Sequence, residues 1–150
     1  MPLRKSIFLS LIVMIICRAE ESPTDKLITS SDQIYVVTID SIVGIRRGMT
    51  HSQTLLSCTV ELILKGKTEK GQHLEVEWMV PVGDKITDEE KRRRAKEGEK
   101  FIIFVNPDIT TPDKAKDLKY VLADVWLGFQ PNSIDFSNYI MKRVKSVGGQ

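Results

Sequence analysis

The residues able to do chemistry are few: two cysteines and two histidines in a chain of 150 residues, beside 20 acids and 22 bases. Cys58 and His73 make the one pairing of a nucleophile with a base, and a thiolate mechanism needs that base within hydrogen-bond reach. Strand alternation puts Cys58 on an apolar face and His73 on the polar face of its own strand, so Cys58 reads as an inert core thiol. His51 stands beside Ser52 and Thr54 in a polar stretch with no orienting acid, and reads as a surface imidazole. Zinc held by His51, His73 and a carboxylate such as Glu75 would need three convergent ligands, and no CxxC, HExxH or paired-histidine spacing brings them together. Asp40 and Asp124 sit in apolar strands; paired carboxylates do acid–base work, but one acid on the wet face of each strand is the simpler reading. The expectation is a non-enzyme with no catalytic, metal-binding or cofactor-binding residue.

The N-terminus carries the most specific pattern. Arg4 and Lys5 precede Ile7 to Ile16, an apolar run of ten residues broken only by Ser10. At helical rise it covers about 15 Å, roughly half a bilayer core and too short to span. Residues 1–19 therefore read as a secretory signal peptide, with Cys17 and Ala19 at the two small-residue positions before cleavage and Glu20 as the new N-terminus. One alternative is a lipoprotein signal in which Cys17 becomes the acylated first residue. The bulky Ile16, where Gly, Ala or Ser normally precedes such a cysteine, argues against it. An uncleaved membrane anchor is a third reading.

Cleavage changes the charge balance. The first 19 residues hold Arg4, Lys5, Arg18 and no acid, so the formal charge of +2 becomes −1. No global electrostatic case for nucleic-acid binding survives. Export also leaves Cys58 as the one cysteine, so the fold must be held by its core rather than by a disulfide.

The elements that position these residues follow from periodicity. Residues 20–32 (EESPTDKLITSSD) are polar and read as a tether, which leaves a domain of about 115 residues, 33–147, enough for one core. Ile34 to Ile45 is rich in β-branched residues and reads as a long first strand, with the polar run Arg46 to Gln53 as a connection. Leu56, Cys58, Val60, Leu62 and Leu64 then alternate to give one apolar face. A charged loop, Lys65 to Gly71, leads to the cleanest alternation: Leu74, Val76, Trp78, Val80 and Val82 against His73, Glu75, Glu77 and Met79. Thr87 and Glu90 make a capping box for a helix from Asp88 to about Glu97, ended by Gly98. Its Arg92-Arg93-Arg94 run reads as a solvated face, self-neutralised by Asp88, Glu89 and Glu90 at i,i+4. Lys100 to Val105, apolar on both faces, reads as a doubly covered strand, and Lys119 to Leu127 as the fifth. Pro131-Asn132-Ser133 opens a terminal helix with a Phe136, Ile140, Val144 stripe, and Val147 to Gln150 should fray.

Three antiparallel strands, a helix, two strands and a terminal helix is the order of an OB-fold, so a mainly β, five-stranded barrel is expected. The segments CTVELILKGK (Cys58 to Lys67) and KEGEKFIIFV (Lys96 to Val105) resemble the "strand ending in LKG" and "GE-aromatic-hydrophobic-F" pair of secreted bacterial OB-like domains, similar to the netrin and tissue-inhibitor-of-metalloproteinase (TIMP) fold. The resemblance covers about residues 33 to 130 and implies a fold. TIMPs chelate zinc through a mature N-terminal cysteine and are disulfide-rich. Glu20 at the expected N-terminus, or an acylated Cys17, is unfit for that. The middle helix also departs from the pattern: apart from Ala95 it has no apolar residue to plug the barrel end, which leaves the terminal stripe for that job.

OB-folds often bind single strands through a basic groove and stacking aromatics. Trp78, Trp126, Phe101, Phe104 and Tyr120 are the candidate stackers, but an exported, slightly acidic chain lacks the address and the charge. The expected function is that of a secreted or periplasmic, non-enzymatic domain binding a protein or another envelope component, through Arg46 to Gln53 and Asp108 to Lys119. The alternatives are a secreted inhibitor or small enzyme with an exposed cleft, and a lipoprotein anchored through Cys17, the membrane being involved only then or if the signal stays uncleaved. The intact mass and first residue of the protein from its native host, soluble and membrane fractions measured separately, are expected to give a soluble chain starting at Glu20. A membrane-bound chain starting at acylated Cys17 would overturn that cleavage.

Overall fold

Among the described residues, alternating β-branched and aromatic residues set six strands, and two amphipathic segments set helices on their outer wall. The computed structural model describes residues 20–81, 83, 94–107 and 119–148, with 43–47 and 119 described by backbone alone. The elements are α1 (Pro23–Ser30), β1 (Gln33–Arg47), β2 (His51–Lys65), β3 (His73–Pro81), β4 (Lys100–Pro107), β5 (Lys119–Leu122), β6 (Phe129–Pro131) and α2 (Ile134–Val147). The signal-peptide residues, most of the expected middle helix with its acid–base pairs, and the polar stretch 108–118 lie outside the described residues.

The strands form a closed barrel. β1, β2 and β3 are antiparallel neighbours, β5 joins β3 in parallel and β4 antiparallel, and β4 returns to β1 from Gln33↔Val105 to Thr38↔Lys100. β6 is an added strand, paired with β4 at Phe101↔Pro131 through Ile103↔Phe129. Phe101 to Val105 are all buried, because β4 faces the barrel core on one side and the helix layer on the other, as its two-sided apolar sequence requires.

Two cores result. Inside the barrel Tyr35, Val37, Cys58, Val76, Trp78 and Ile103 are at or near full burial. Phe129 stacks between Trp78 (5.4 Å between ring centres) and Phe101 (4.4 Å). Outside, Ile34, Val36, Ile102 and Phe104 pack against Leu27 and Ile28 of α1 and Ile140 of α2.

The polar stretch read as a tether is thus largely α1. Ser22 caps it, its Oγ accepting from the Asp25 N–H at 3.1 Å, and Pro23 fills the first turn. The Lys65 ammonium closes the other end by donating to the carbonyls of Ile28, Thr29 and Ser31 at 2.9, 3.2 and 2.5 Å. Asp25 ties α1 to α2 through the Tyr139 hydroxyl (2.6 Å) and Arg143 Nε (2.9 Å), and the Tyr139 hydrogen bond chiefly holds its carboxyl below the ordinary value. Two apolar residues and a capping serine suffice where a neighbouring wall is apolar, a tertiary effect that composition alone hides.

Three strand boundaries also differ from the periodicity. The ladder runs on through Arg46↔Gln53 and Arg47↔Ser52, so the expected connection from Arg46 to Gln53 shrinks to a tip at Gly48 to Thr50. β5 stops at Leu122 because Asp124 forms a turn, its Oδ1 accepting from the N–H groups of Trp126 (2.7 Å) and Leu127 (2.6 Å). Gly128 is required there, since a Cβ would lie 2.4 Å from the Asp124 carbonyl. In β2 the pairing skips Glu61 and Leu64 as bulges. The expected apolar face therefore breaks after Val60: Ile63 turns to the barrel core, Leu64 packs in the outer core, and Leu62 is 44% exposed.

Residues 94–97, at the end of the expected middle helix, are described. Ala95 is 2% exposed within the inner core, and the Arg94 guanidinium lies 5.7 Å from the centre of the Trp78 ring. The Phe136, Ile140, Val144 stripe packs on the outer core instead. Lys65→Met keeps the apolar stem and removes the ammonium that caps α1. It is expected to cost about 1–3 kcal/mol in urea unfolding, with Lys65→Arg losing less; an unchanged midpoint for Lys65→Met would refute the cap.

Candidate functional site

Cys58 and His73 face opposite ways. Cys58 is fully buried, paired across strands with Leu74, and burial chiefly, with the Asp40 charge behind it, pushes its thiol up to about 12. A protonated thiol inside a packed barrel is neither nucleophile nor ligand.

His73 instead joins a small polar cluster on the outer wall. β1 bulges at Asp40, which brings its carboxylate over β2, where Oδ2 accepts from Thr59 Oγ1 at 2.7 Å and lies 3.4 Å from His73 Nδ1. Thr59 Oγ1 is 3.1 Å from the same Nδ1. The threonine has one proton and gives it to Asp40, so its oxygen accepts from Nδ1–H. A nucleophile–base–acid relay needs the hydroxyl and the acid on different ring nitrogens. Here both meet Nδ1, and the cluster is a cross-strand tie, with the His73 side chain 78% exposed.

The remaining sequence candidates disperse. His51 bonds to its neighbour Thr50 at 2.9 Å and pairs with Pro81, whereas His73 pairs with Thr59. Eight residues of strand, about 27 Å, separate the two histidines. Glu75 shares a strand face with His73, and among the described residues no three His, Cys, Asp or Glu side chains converge as a metal site would require. Asp124 is spent on its turn. Of the candidate stackers, Trp78, Phe101 and Tyr120 are inner core, Phe104 is outer core, and Trp126 is 38% exposed.

Trp126 belongs to an arrangement that periodicity does not reveal. The Arg94 guanidinium lies 5.7 Å from each of the Trp78 and Trp126 rings, and Nη2 donates to the Trp126 carbonyl at 3.1 Å. Trp78 Nε1 donates to the Val125 carbonyl at 3.1 Å. The arginine therefore acts as a cation near two indole rings, tied to one of their backbones.

Surface recesses among the described residues include two of interest. One, about 260 Å³, lies in the seam of α1, α2 and β4, between Thr24, Leu27, Phe104, Leu127, Gln130 and Phe136. The other, about 320 Å³, is an open groove between the first turns of α2 and the outer wall of β1, β2 and β4. Its apolar side includes Leu62 and Met141, with Ile134 80% exposed, and its charged side Glu61, Lys70 and Lys100. Lys100 Nζ lies 3.7 Å from Glu61 Oε2, and Glu61 Oε1 accepts from Thr38 at 2.8 Å. Strict alternation assigns Leu62 to the core and so hides the groove. The one signal for it is the run Leu62-Ile63-Leu64, three apolar residues in succession where alternation allows one.

Among the described residues no helix is long and apolar enough to cross a membrane. No protein-family model and no curated protein matches the chain.

The thiol provides a test of the inner core. With a thiol at about 12, roughly one Cys58 in ten thousand is ionised at pH 8. Iodoacetamide labelling of the native protein is expected to follow global unfolding in urea. Rapid labelling without urea would place Cys58 at the surface.

Proposed function

We propose that this chain is an exported, non-enzymatic interaction domain of the cell envelope, built on an OB-like barrel similar to the netrin and TIMP fold. The strand order β1-β2-β3-β5-β4, returning to β1, is that of an OB barrel, which supports the fold reading. The export pattern of residues 1–19 supports the address, secreted or periplasmic.

One observation carries the binding role. The β1–β2 hairpin ends in a tip where Met49 is 98% exposed, held in a ladder that runs out to Arg47↔Ser52 and His51↔Pro81. A flexible thioether at the tip of a paired hairpin adds nothing to either core and is well suited to an adaptable partner surface. The chemistry-bearing side chains, by contrast, are buried or tied to neighbours, which supports binding over catalysis.

A photo-crosslinking side chain in place of Met49, in the protein expressed in its native host, is expected to give a discrete adduct with one envelope component. Met49→Asp should lower that partner's recovery while changing stability by less than about 0.5 kcal/mol. Absence of any adduct at Met49, with the protein correctly exported, would sink the reading.

A further inference from the structure

We infer that the open groove between α2 and the outer wall of β1, β2 and β4 takes an acidic, amphipathic peptide segment: an aliphatic side chain seated between Leu62 and Ile134, next to a carboxylate held by Lys70. The inference rests on reading the barrel as a binding domain, and names the kind of partner.

The groove's apolar floor is a product of irregular pairing. With regular alternation Leu62 would follow Val60 into the barrel; the bulge at Glu61 turns it outward instead, where it lies 44% exposed beside the groove. Bulges recur where a side chain must be re-aimed. Ile134, 80% exposed, stands on the opposite wall in the first turn of α2, with Met141 further along.

Charge decides the sign of the occupant. The Glu61 carboxylate already receives the Thr38 hydroxyl at 2.8 Å and the Lys100 ammonium at 3.7 Å. Lys70 lines the same groove, is exposed, and has no hydrogen bond or ion pair among the described residues. The uncompensated charge is positive and sits beside an apolar strip. A carboxylate adjoining an aliphatic side chain complements both. At about 320 Å³ and open along its length, the groove has room for one or two side chains of an extended chain, and it does not enclose an acyl tail. The chain's own apolar run, Ile7 to Ile16, is flanked by Arg4, Lys5 and Arg18, the wrong sign for Lys70.

The test uses the protein as recovered from its host and two dye-labelled hexapeptides, one alternating leucine with aspartate and one alternating leucine with lysine, followed by fluorescence anisotropy. The acidic peptide is expected to bind and its lysine twin to fail. Lys70→Glu should weaken binding about fivefold or more and Leu62→Asp about tenfold. Lys145→Glu, an equal change of charge in the last turn of α2, should leave it nearly unchanged, and raised salt should weaken it. Thermal melting of each variant separates lost binding from lost fold; if Leu62→Asp melts early, Ile134→Lys, at a more exposed site, replaces it.

Equal binding of both peptides, or acidic binding indifferent to Lys70 and Leu62, would overturn the inference. So would displacement of the peptide by octanoate at equal carboxylate concentration, which would make the occupant a lipid acid. A dimer in sedimentation that Leu62→Asp dissolves, with no peptide bound, would make it a second copy. If any of these is found while the Met49 crosslink persists, the interaction-domain reading stands and the groove assignment alone falls.

Discussion

The ladder between β1 and β4 is the constraint on which the molecule depends. Six paired positions, Gln33↔Val105 through Thr38↔Lys100, convert a curled sheet into a closed barrel. Closure removes the free edges that would otherwise template aggregation. It also gives β4 partners on both edges, β1 on one and β5 with β6 on the other, and layers on both faces. A strand so enclosed must be apolar at every position, and Phe-Ile-Ile-Phe-Val is what that environment admits. The helices follow from the same fact. Ile102 and Phe104 point away from the barrel and would be left in water without α1 and α2 to cover them.

Much of this was legible as pattern. The two-sided run at Phe101 to Val105, the clean alternation from His73 to Val80, and the Ser133 cap with its Phe136, Ile140, Val144 stripe each match the element they imply. In each, one period acts over enough residues to outweigh local exceptions. What periodicity missed depends on neighbours distant in sequence. Leu27 and Ile28 form a helix because a wall nearly 75 residues further on waits for them, and Lys65 reaches back 34 to 37 positions to close it. Asp124 breaks its strand through a side-chain turn that needs Gly128, a pairing visible in the sequence only when the two are read together.

The would-be chemical residues were legible in a different sense. Placing Cys58 inside and His73 outside needs only the parity of two adjacent strands, and the structure has them so. The grouping of Asp40, Thr59 and His73 was not accessible in that way, because it relies on a bulge that moves Asp40 across the hairpin. The same local irregularity that builds an apparent triad also shows why it is none: both partners address one ring nitrogen. Proximity of the right residue types is thus a weaker sign of catalysis than the direction in which each proton is given.

The bulges in β2 have a consequence for how this chain can change over time. Along a strand every residue is either even or odd, and parity decides which compartment of the protein it inhabits. Glu61 is an extra count that reverses the parity of everything after it, up to Leu64, where a second extra count intervenes. Losing one residue between Val60 and Ile63 would take out the extra count and leave both of them facing in, as they do now, with a regular ladder between them. Losing two would set Ile63 directly after Val60 and turn it out of the barrel. The segment is therefore one that can shed a single residue and keep its compartments, and in which the loss of a pair is the larger event.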